Sequence, residues 1–275
     1  MQKSFVSQSD EQGTQSIQRA IQIINLIASY STEGLRMVDI SEMMGISRPT
    51  AHRITQALVA KGWLMRKTGG QRYFLGHSLF ELGLTAAPQF KFREICQPSL
   101  DRIARRTGYI SFLTIRSGKD AISIARSKGK PVDLVPLQIG THRPLGIGAG
   151  SLAILATLSD AEVEQIVLAN ARRLRKFGDI NTKMLLESVK ICRERGFAYH
   201  DERLLQGVSG VAMTVCDSDQ VTLGAVSISA LQPRIGSEEL YAIAAKIRRE
   251  AKIIQSLVIS DVGYAAERVR ALSKT

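Results

Sequence analysis

The sequence predicts an α+β protein built from two domains. Its 275 residues are long for one domain, and a hydrophobic content of 44% is enough for two cores. The first third alternates helix-period apolar segments with one short hairpin. From Tyr109 onward apolar residues also recur with a period of two, as in YISFLTIR and VTLGAVSISA, which predicts strands between helices.

Two helices are predicted near the front of the chain. Ser16–Tyr30 repeats isoleucine and leucine at helical spacing, which gives the first helix an apolar, core-facing side. The second helix is short: Asp39 is its expected N-cap, and Glu42 three residues later completes a capping box. Gly45 is expected to end it, because glycine adopts the left-handed conformation at little cost.

A third helix, from about Arg48 to Ala60, follows with Ser47 as its N-cap. Pro49 fits there because the first turn of a helix makes no use of the missing N–H. Two helices joined by a short glycine-containing turn make a helix-turn-helix. Its exposed residue types suit a major groove, where arginine reads guanine and glutamine reads adenine. The candidate DNA-contacting residues here are Ser47, Arg48, Pro49, Thr50, His52, Arg53 and Gln56.

A hairpin is predicted directly after this helix. Trp63–Lys67 and Arg72–Leu75 are the expected strands, and the Thr68-Gly69-Gly70-Gln71 tip favours a tight turn. Such a wing can touch the DNA backbone or the minor groove, and the alternative is a plain surface hairpin. The basic residues that complete the candidate DNA-contacting set are Arg66, Lys67 and Arg72.

The charge of this region is one-sided. Met43 to Phe80 contains no Asp or Glu but six Lys or Arg, and such a segment attracts polyanions, of which nucleic acid is the commonest. The alternative is a basic, solvated helix face. Residues 1–76 hold nine Lys or Arg and five Asp or Glu, a surplus of four, so most of the net charge of +12 lies further on.

The remaining elements are predicted from their periods and caps. His77 to about Ala87 is expected to be a linker helix, followed by a helix from Phe92 to Thr107. Strands are expected to follow, with helices on one side of their sheet. The further predictions are a third strand at 131–140, helices at 161–171, 181–195 and 237–259, and a hairpin turned at 217–220.

A small-residue loop, Gly146 to Ser151, stands before a predicted helix. Its G-x-G-x-G spacing departs from the dinucleotide fingerprint, and no acidic residue follows where a ribose would need one. Free backbone N–H groups at the helix start would suit a carboxylate, and tight packing is the alternative. Ser227 and Ser229 share one face of a strand, which faces either this helix end or solvent. The segment His200–Arg203 would add a polar edge.

Nothing in the sequence assembles a catalytic, metal or cofactor site. The four histidines are scattered, no HExxH or Cys/His cluster occurs, and no G-x-S-x-G elbow is present. Cys96, Cys192 and Cys216 lack CxxC spacing, which indicates free thiols in a reducing cytoplasm. No apolar run approaches the ~18 residues of a membrane span, and the polar first dozen residues lack a signal peptide's apolar core.

Several segments resemble one known family. SIQRAIQIINLIASY, DISEMMGISRPTAHRITQALVAKGWLMRK and RYFLG resemble the winged helix-turn-helix of IclR-type transcriptional regulators, and GFAYHDERLLQGVSGVAMTV and LGAVSISALQPRI are similar to their effector domain. The resemblance covers about Thr14 to Val262. It implies an N-terminal winged helix-turn-helix and a GAF-like mixed α/β effector-binding domain joined by a linker helix. The expected boundaries are a disordered tail 1–13, the DNA-binding domain 14–76, the linker helix 77–90, the effector domain 91–263 and a tail 264–275.

The resemblance also implies a function. A ligand-responsive regulator is expected to bind double-stranded DNA at a pseudo-palindromic operator, as a dimer or dimer of dimers, with repression favoured, and to respond to a small carboxylate or aromatic acid. The alternative is a metabolite-sensing module whose winged helix docks a protein. The chain departs from the family's Gly-Lys at Ser151-Leu152, which removes a cation. The implied effector-binding residues are Ala149, Gly150, His200, Asp201, Val208, Gly210, Ala212, Ser227 and Ser229.

Overall fold

The computed structural model describes residues 8–31, 33–67, 69–89, 91–129, 138–178, 180–200, 207–230 and 235–260. The chain divides into two compact units, residues 1–89 and 90–275, and each unit is taken separately. The first helix begins at Gln8, inside the predicted tail 1–13. Residues 1–7 and the predicted tail 264–275 lie outside the described residues.

The described part of the first unit is helical with one small sheet. Its elements are α1 (Gln8–Ala28), β1 (Leu35–Arg36), α2 (Met37–Met44), α3 (Arg48–Ala60), β2 (Leu64–Arg66), β3 (Arg72–Leu75) and α4 (His77–Ala86), followed by a 3-10 turn, Ala87–Gln89. The strands are antiparallel in the order β1-β3-β2. The helices and sheet enclose a core of Ile23, Ile27, Leu35, Ile40, Ala51, Leu64 and Tyr73.

The turn of the helix-turn-helix is fixed by its local chemistry. Gly45 ends α2 with φ 62, which confirms the predicted left-handed cap. The predicted N-cap Asp39 is wrong: Arg36 holds that position, and Asp39 accepts a hydrogen bond from the Arg36 N–H at 3.0 Å. The Arg36 guanidinium also binds this carboxylate and lowers the pKa of Asp39. Ser47 precedes α3 as predicted, although its hydroxyl contacts Thr50 Oγ1, at 2.9 Å, instead of a backbone N–H.

The start of α4 is fixed to the turn that follows α3. The Gly76 N–H donates to the Trp63 carbonyl at 2.8 Å, and the Ser78 N–H donates to the Gly62 carbonyl at 3.1 Å. The Ser78 hydroxyl donates to the Lys61 carbonyl at 3.2 Å. A Cβ at Gly76 would lie 2.0 Å from the Gly62 oxygen, so this close backbone contact requires glycine.

The described part of the second unit combines five helices with one sheet. Its elements are α5 (Phe92–Thr107), β4 (Ile110–Ser117), β5 (Asp120–Ser127), β6 (His142–Pro144), α6 (Ala149–Ala156), α7 (Asp160–Leu174), a 3-10 turn (Arg175–Phe177), α8 (Thr182–Arg195), β7 (Ala198–His200), β8 (Ser209–Cys216), β9 (Thr222–Ala230) and α9 (Ser237–Ser260). The predicted Ser159 cap is confirmed, since its hydroxyl accepts a hydrogen bond from the Glu162 N–H at 3.3 Å.

Helices cover both faces of the six-stranded sheet, whose order is β6-β5-β4-β9-β8-β7 with antiparallel neighbours. One core joins α5 and α9 to Val226 and Ile228, and the other joins α6, α7 and α8 to Ala212 and Ala225. The expectation of helices on one side is therefore wrong. Residues of the central strands β4, β8 and β9 are buried on both faces, so each face needs a cover.

The outer strand differs from the prediction at 131–140. Residues 131–137 lie outside the described residues, and 138–140 form a turn in which the Gly140 N–H donates to the Ser123 carbonyl at 2.8 Å. The edge strand is β6, with Arg143 opposite Ala121 of β5. Because β6 has only three residues, its alternation is too short to recognise in the sequence.

Candidate DNA interface and ligand cleft

The outer face of α3 presents the predicted base-contacting residues to solvent. Ser47, Arg48, Pro49, His52, Arg53 and Gln56 are exposed, and Thr50 is partly buried. The side chains of Arg48, His52 and Arg53 make no hydrogen bond or ion pair with any other described residue. The opposite side of the helix is anchored, because Thr55 is fully buried and its hydroxyl donates to the Ala51 carbonyl at 2.8 Å. A rigid helix therefore carries cations that are free to reach a polyanion.

The wing cations lie against the aromatic residues of β3. The Arg66 guanidinium is 5.5 Å from the centre of the Tyr73 ring, and Lys67 Nζ is 4.6 Å from the centre of the Phe74 ring. Cation–π contacts of this kind orient a side chain without neutralising its charge. Both cations remain exposed, so the wing offers oriented positive charge beside α3.

A shallow basic groove beside the wing was not predicted. Its lining residues are Arg36, Lys67, Gly70, Gln71, Arg72 and Phe74. Arg36 reaches the groove because β1 pairs with β3, which places Arg36 opposite Arg72. The predicted contact residue Arg72 is exposed, yet it also donates to the Gly34 carbonyl at 2.9 Å, so it has a structural role as well. The two-residue strand β1 gave no periodic signal that could have revealed Arg36.

In the second unit the strand register gathers polar side chains on one face of the sheet. Ser227 of β9 lies opposite Phe112 of β4, and Ser229 lies opposite Gly210 of β8, which in turn lies opposite His200 of β7. These residues border a cleft of about 40 Å3, room for about three water molecules. Its lining residues are Phe112, Thr114, Ala121, Ser123, Thr141, Arg143, Ile147, Gly148, Ala149, Gly150, Ser151, His200, Val208, Ser227 and Ser229.

The N-terminus of α6 closes one side of the cleft. The helix begins at Ala149 after Gly148, which has φ 91, and no side chain caps it. Gly150 lies directly over the sheet: a Cβ there would be 2.8 Å from Thr114 Oγ1 and 3.3 Å from Ser227 Oγ. The helix dipole and the N–H groups of the first turn therefore act on the cleft and favour negative charge within it.

The departure from the family pattern at Ser151-Leu152 has a structural explanation. The Ser151 hydroxyl accepts a hydrogen bond from the Gly146 N–H at 2.7 Å and so closes the small-residue loop. Leu152 is 1% exposed and belongs to the core beneath α6. A lysine at this position would have to leave that core, so the chain uses the position for packing instead of charge.

A cation nevertheless lines the cleft from another element. Arg143 of β6 lies opposite Ala121, and its guanidinium is 6.0 Å from the centre of the Phe177 ring. Burial lowers the pKa of Arg143 from its ordinary value, because a charged group loses hydration there. Arg143 was not among the predicted site residues, and its signal in the sequence is an arginine three positions before the small-residue loop.

The structure brings together most of the predicted effector residues. Those that line the cleft are Ala149, Gly150, His200, Val208, Ser227 and Ser229. Gly210 and Ala212 do not line it: the Ala149 Cβ lies 3.1 Å from where a Gly210 Cβ would be, and Ala212 is fully buried under α6. Asp201 lies outside the described residues. Ser227 is 5% exposed and lies against the helix end at Gly150, and Ser229 on the same face is partly buried.

Within the described ranges, His, Cys, Asp and Glu side chains form no group of three that could hold a metal ion. In the same part of the chain, no helix combines the length and apolar character that a membrane crossing requires.

Both units match domains of one family. Residues 16–67 match the IclR helix-turn-helix domain, and residues 85–256 match the family described as bacterial transcriptional regulator IclR C-terminal. The chain belongs to the IclR family of transcriptional regulators. As an IclR-family member it is a DNA-binding regulator and not an enzyme, which confirms the resemblance seen in its sequence.

Named relatives extend over nearly the whole IclR-family chain. It is 29% identical to the HTH-type transcriptional regulator XynR of Escherichia coli (strain K12) over 255 residues, which cover 92% of this chain and 98% of XynR. It is 22% identical to the HTH-type transcriptional repressor AllR of Salmonella typhi over 247 residues, 90% of each chain. An IclR homolog of Microbacterium hydrocarbonoxydans complexed with 4-hydroxybenzoate has the same fold, with a TM-score of 0.62, 18% identity and coverage of 88% of this chain and 98% of that one.

Proposed function

We propose that this protein is a ligand-responsive repressor that binds a pseudo-palindromic operator and is modulated by a small organic acid. The observation that carries the proposal is the combination of unpaired cations on α3 with a polar, cation-lined cleft in the second unit. The name of the relative AllR supports repression, since AllR is a transcriptional repressor. We assign residues 14–76 to DNA binding, 77–90 to the linker and 91–263 to effector binding.

Self-association follows from exposed apolar residues of the first unit. Phe80, Leu82 and Leu84 of α4 are 67%, 52% and 58% exposed, and Ile17 and Ile21 of α1 are 61% and 50% exposed. Exposed apolar side chains in such number favour a protein partner over water. A second copy of the chain would bring two α3 helices to two half-sites about one DNA turn apart, as a dimer or within a dimer of dimers.

The effector is proposed to act through the cleft by a population shift. A ligand that binds one arrangement of the dimer more tightly raises the population of that arrangement, and hence changes operator affinity. Support comes from the Microbacterium hydrocarbonoxydans homolog, which was solved with 4-hydroxybenzoate, an organic acid. We expect the protein to act in the cytoplasm, where the described cysteines Cys96, Cys192 and Cys216 would remain the free thiols that the structure shows.

The test is a binding assay with duplex fragments from the region around the protein's own gene. Fluorescence anisotropy would be measured from about 50 to about 200 mM salt, a range over which a protein that makes six or more phosphate contacts loses at least ~10³-fold in affinity. A steep salt dependence, with affinity altered by at least one carboxylic acid of a small panel, is the expected result. Weak salt dependence would instead favour a winged helix that docks a protein, and the absence of binding to every fragment would refute the proposal.

A further inference from the structure

The charge of the cleft is unbalanced. Among its described lining residues Arg143 is the one permanent charge, and none is Asp or Glu. The guanidinium makes no hydrogen bond or ion pair with another described residue. Its cation–π contact with the ring of Phe177 does not neutralise the charge. A partly buried cation without a counter-ion is an unfavourable arrangement, because the charge has lost hydration and gained no partner.

The acidic residue on the neighbouring strand cannot balance this charge. Asp120 lies opposite Pro144 in the ladder, one position from the Ala121–Arg143 pair, so the alternation of the strands points it to the other face. There it accepts a hydrogen bond from Arg173 at 2.5 Å. Arg143 is thus left facing the cleft while the adjacent carboxylate is used elsewhere.

The opposite walls supply groups that complement an anion. Thr114, Ser227 and Ser229 bring hydroxyls from the sheet, and the uncapped N-terminus of α6 brings backbone N–H groups and a positive dipole end. A guanidinium presents paired N–H donors that match the two oxygens of a carboxylate. The remaining hydroxyls suit a ligand that also carries a hydroxyl or carbonyl group.

We propose that Arg143 is the anion-binding residue of the cleft and that the effector is a compact carboxylate held between this guanidinium and the start of α6. The proposal rests on the proposed effector role of the cleft, and it names the ligand class and the residue that selects it. Neutral ligands of equal shape are then rejected, because they leave the cation unpaired.

The test compares acids with their own amides. Thermal unfolding of the full-length wild type, Arg143→Gln and Arg172→Gln would be followed with acetate and acetamide, lactate and lactamide, and benzoate and benzamide. Arg172 is an exposed arginine of α7 outside the cleft, so its substitution removes the same charge without touching the site. At least one acid should raise the unfolding temperature of the wild type and of Arg172→Gln, while its amide does not.

In Arg143→Gln the apparent affinity for that acid should fall about 10- to 100-fold, because hydrogen bonds to charged groups are among the strongest in proteins. The unliganded variant should unfold no earlier than the wild type, whereas a residue with a purely structural role would lower the unfolding temperature when it is replaced. No stabilising acid, equal stabilisation by acid and amide, or an undiminished response of Arg143→Gln would each overturn the inference. Operator affinity measured with the same acid separates the two proposals: binding that leaves DNA affinity unchanged would sustain the carboxylate site and refute the regulatory role.

Discussion

The double substitution Arg48→Ala and Arg53→Ala tests the DNA-reading face of α3. Both side chains are exposed and neither has a partner among the described residues, so the free energy of unfolding should change by less than about 0.5 kcal/mol. Any large loss of DNA binding would then reflect lost contacts to DNA and not a damaged fold.

The size of the loss depends on what the arginines touch. A bidentate contact to a base is worth about 1–3 kcal/mol, so two of them give about 2–6 kcal/mol per half-site, a weakening of at least ~30-fold. If the arginines bind phosphates instead, each lost contact lowers the slope of log K against log salt by about 1, and weakens all sequences alike. The two outcomes are distinguishable, because only base contacts change sequence preference.

The assay requires an operator and a matched control. The wild type would first select its preferred duplex from a random-sequence library, and anisotropy titrations would then compare that duplex with an unrelated one across a salt series. Arg172→Ala with Arg175→Ala removes the same two charges from exposed positions of the second unit. Equal affinities of the wild type and the α3 variant, or an equal loss in both double variants, would refute the assignment of α3.

Three further outcomes are expected. Ser227→Ala and Ser229→Ala should each weaken the effector response while operator affinity stays within twofold; unchanged ligand titrations in both variants would remove these serines from the site. Glu250→Ala should lower the free energy of unfolding by about 3 kcal/mol in urea titrations, because its buried carboxylate accepts a hydrogen bond from Arg102 at 2.8 Å, and a loss below about 1 kcal/mol would contradict this. Burial lowers the pKa of His142 below its ordinary 6.5, so the unfolded state binds more protons, and stability is present above about pH 6.5 and lost as pH falls toward the folded pKa. His142→Asn should flatten the unfolding temperature between pH 7 and pH 5.5, and an unaltered slope would exclude this residue as the cause.

Elements with local signals were predicted most closely. Helix α5 spans Phe92–Thr107 and α3 spans Arg48–Ala60, both at the bounds expected from sequence. In each case a cap, a proline or an apolar period lies within the element itself, so no distant contact is needed to recognise it. The pairing of Ser227 and Ser229 on one face was equally accessible, because alternation along a strand is a local property.

Features that depend on distant pairing were missed. Strand β1 forms because Leu35 pairs with Tyr73 of β3. Its two residues are too few to show a periodic pattern of apolar residues. Arg143 enters the cleft because β6 pairs with β5, and nothing near Arg143 in sequence specifies that register. The N-cap of α2 was predicted wrongly for a similar reason. Arg36 pairs in β1 and becomes the N-cap, and Asp39 then occupies the N3 position, where an acidic side chain is equally favourable.

The glycine contact between Gly76 and Gly62 has a mechanical consequence for regulation. Because α4 is hydrogen-bonded through its first turn to the loop behind α3, it cannot swivel independently of the reading helix. We expect α4 and α3 to move as one rigid body, so that a change in the orientation of α4 also reorients α3 on the DNA. The distance between the two α3 helices of a dimer would then depend on the orientation of α4. A bulkier residue at Gly76 would disrupt the contact and allow α4 to move independently of α3.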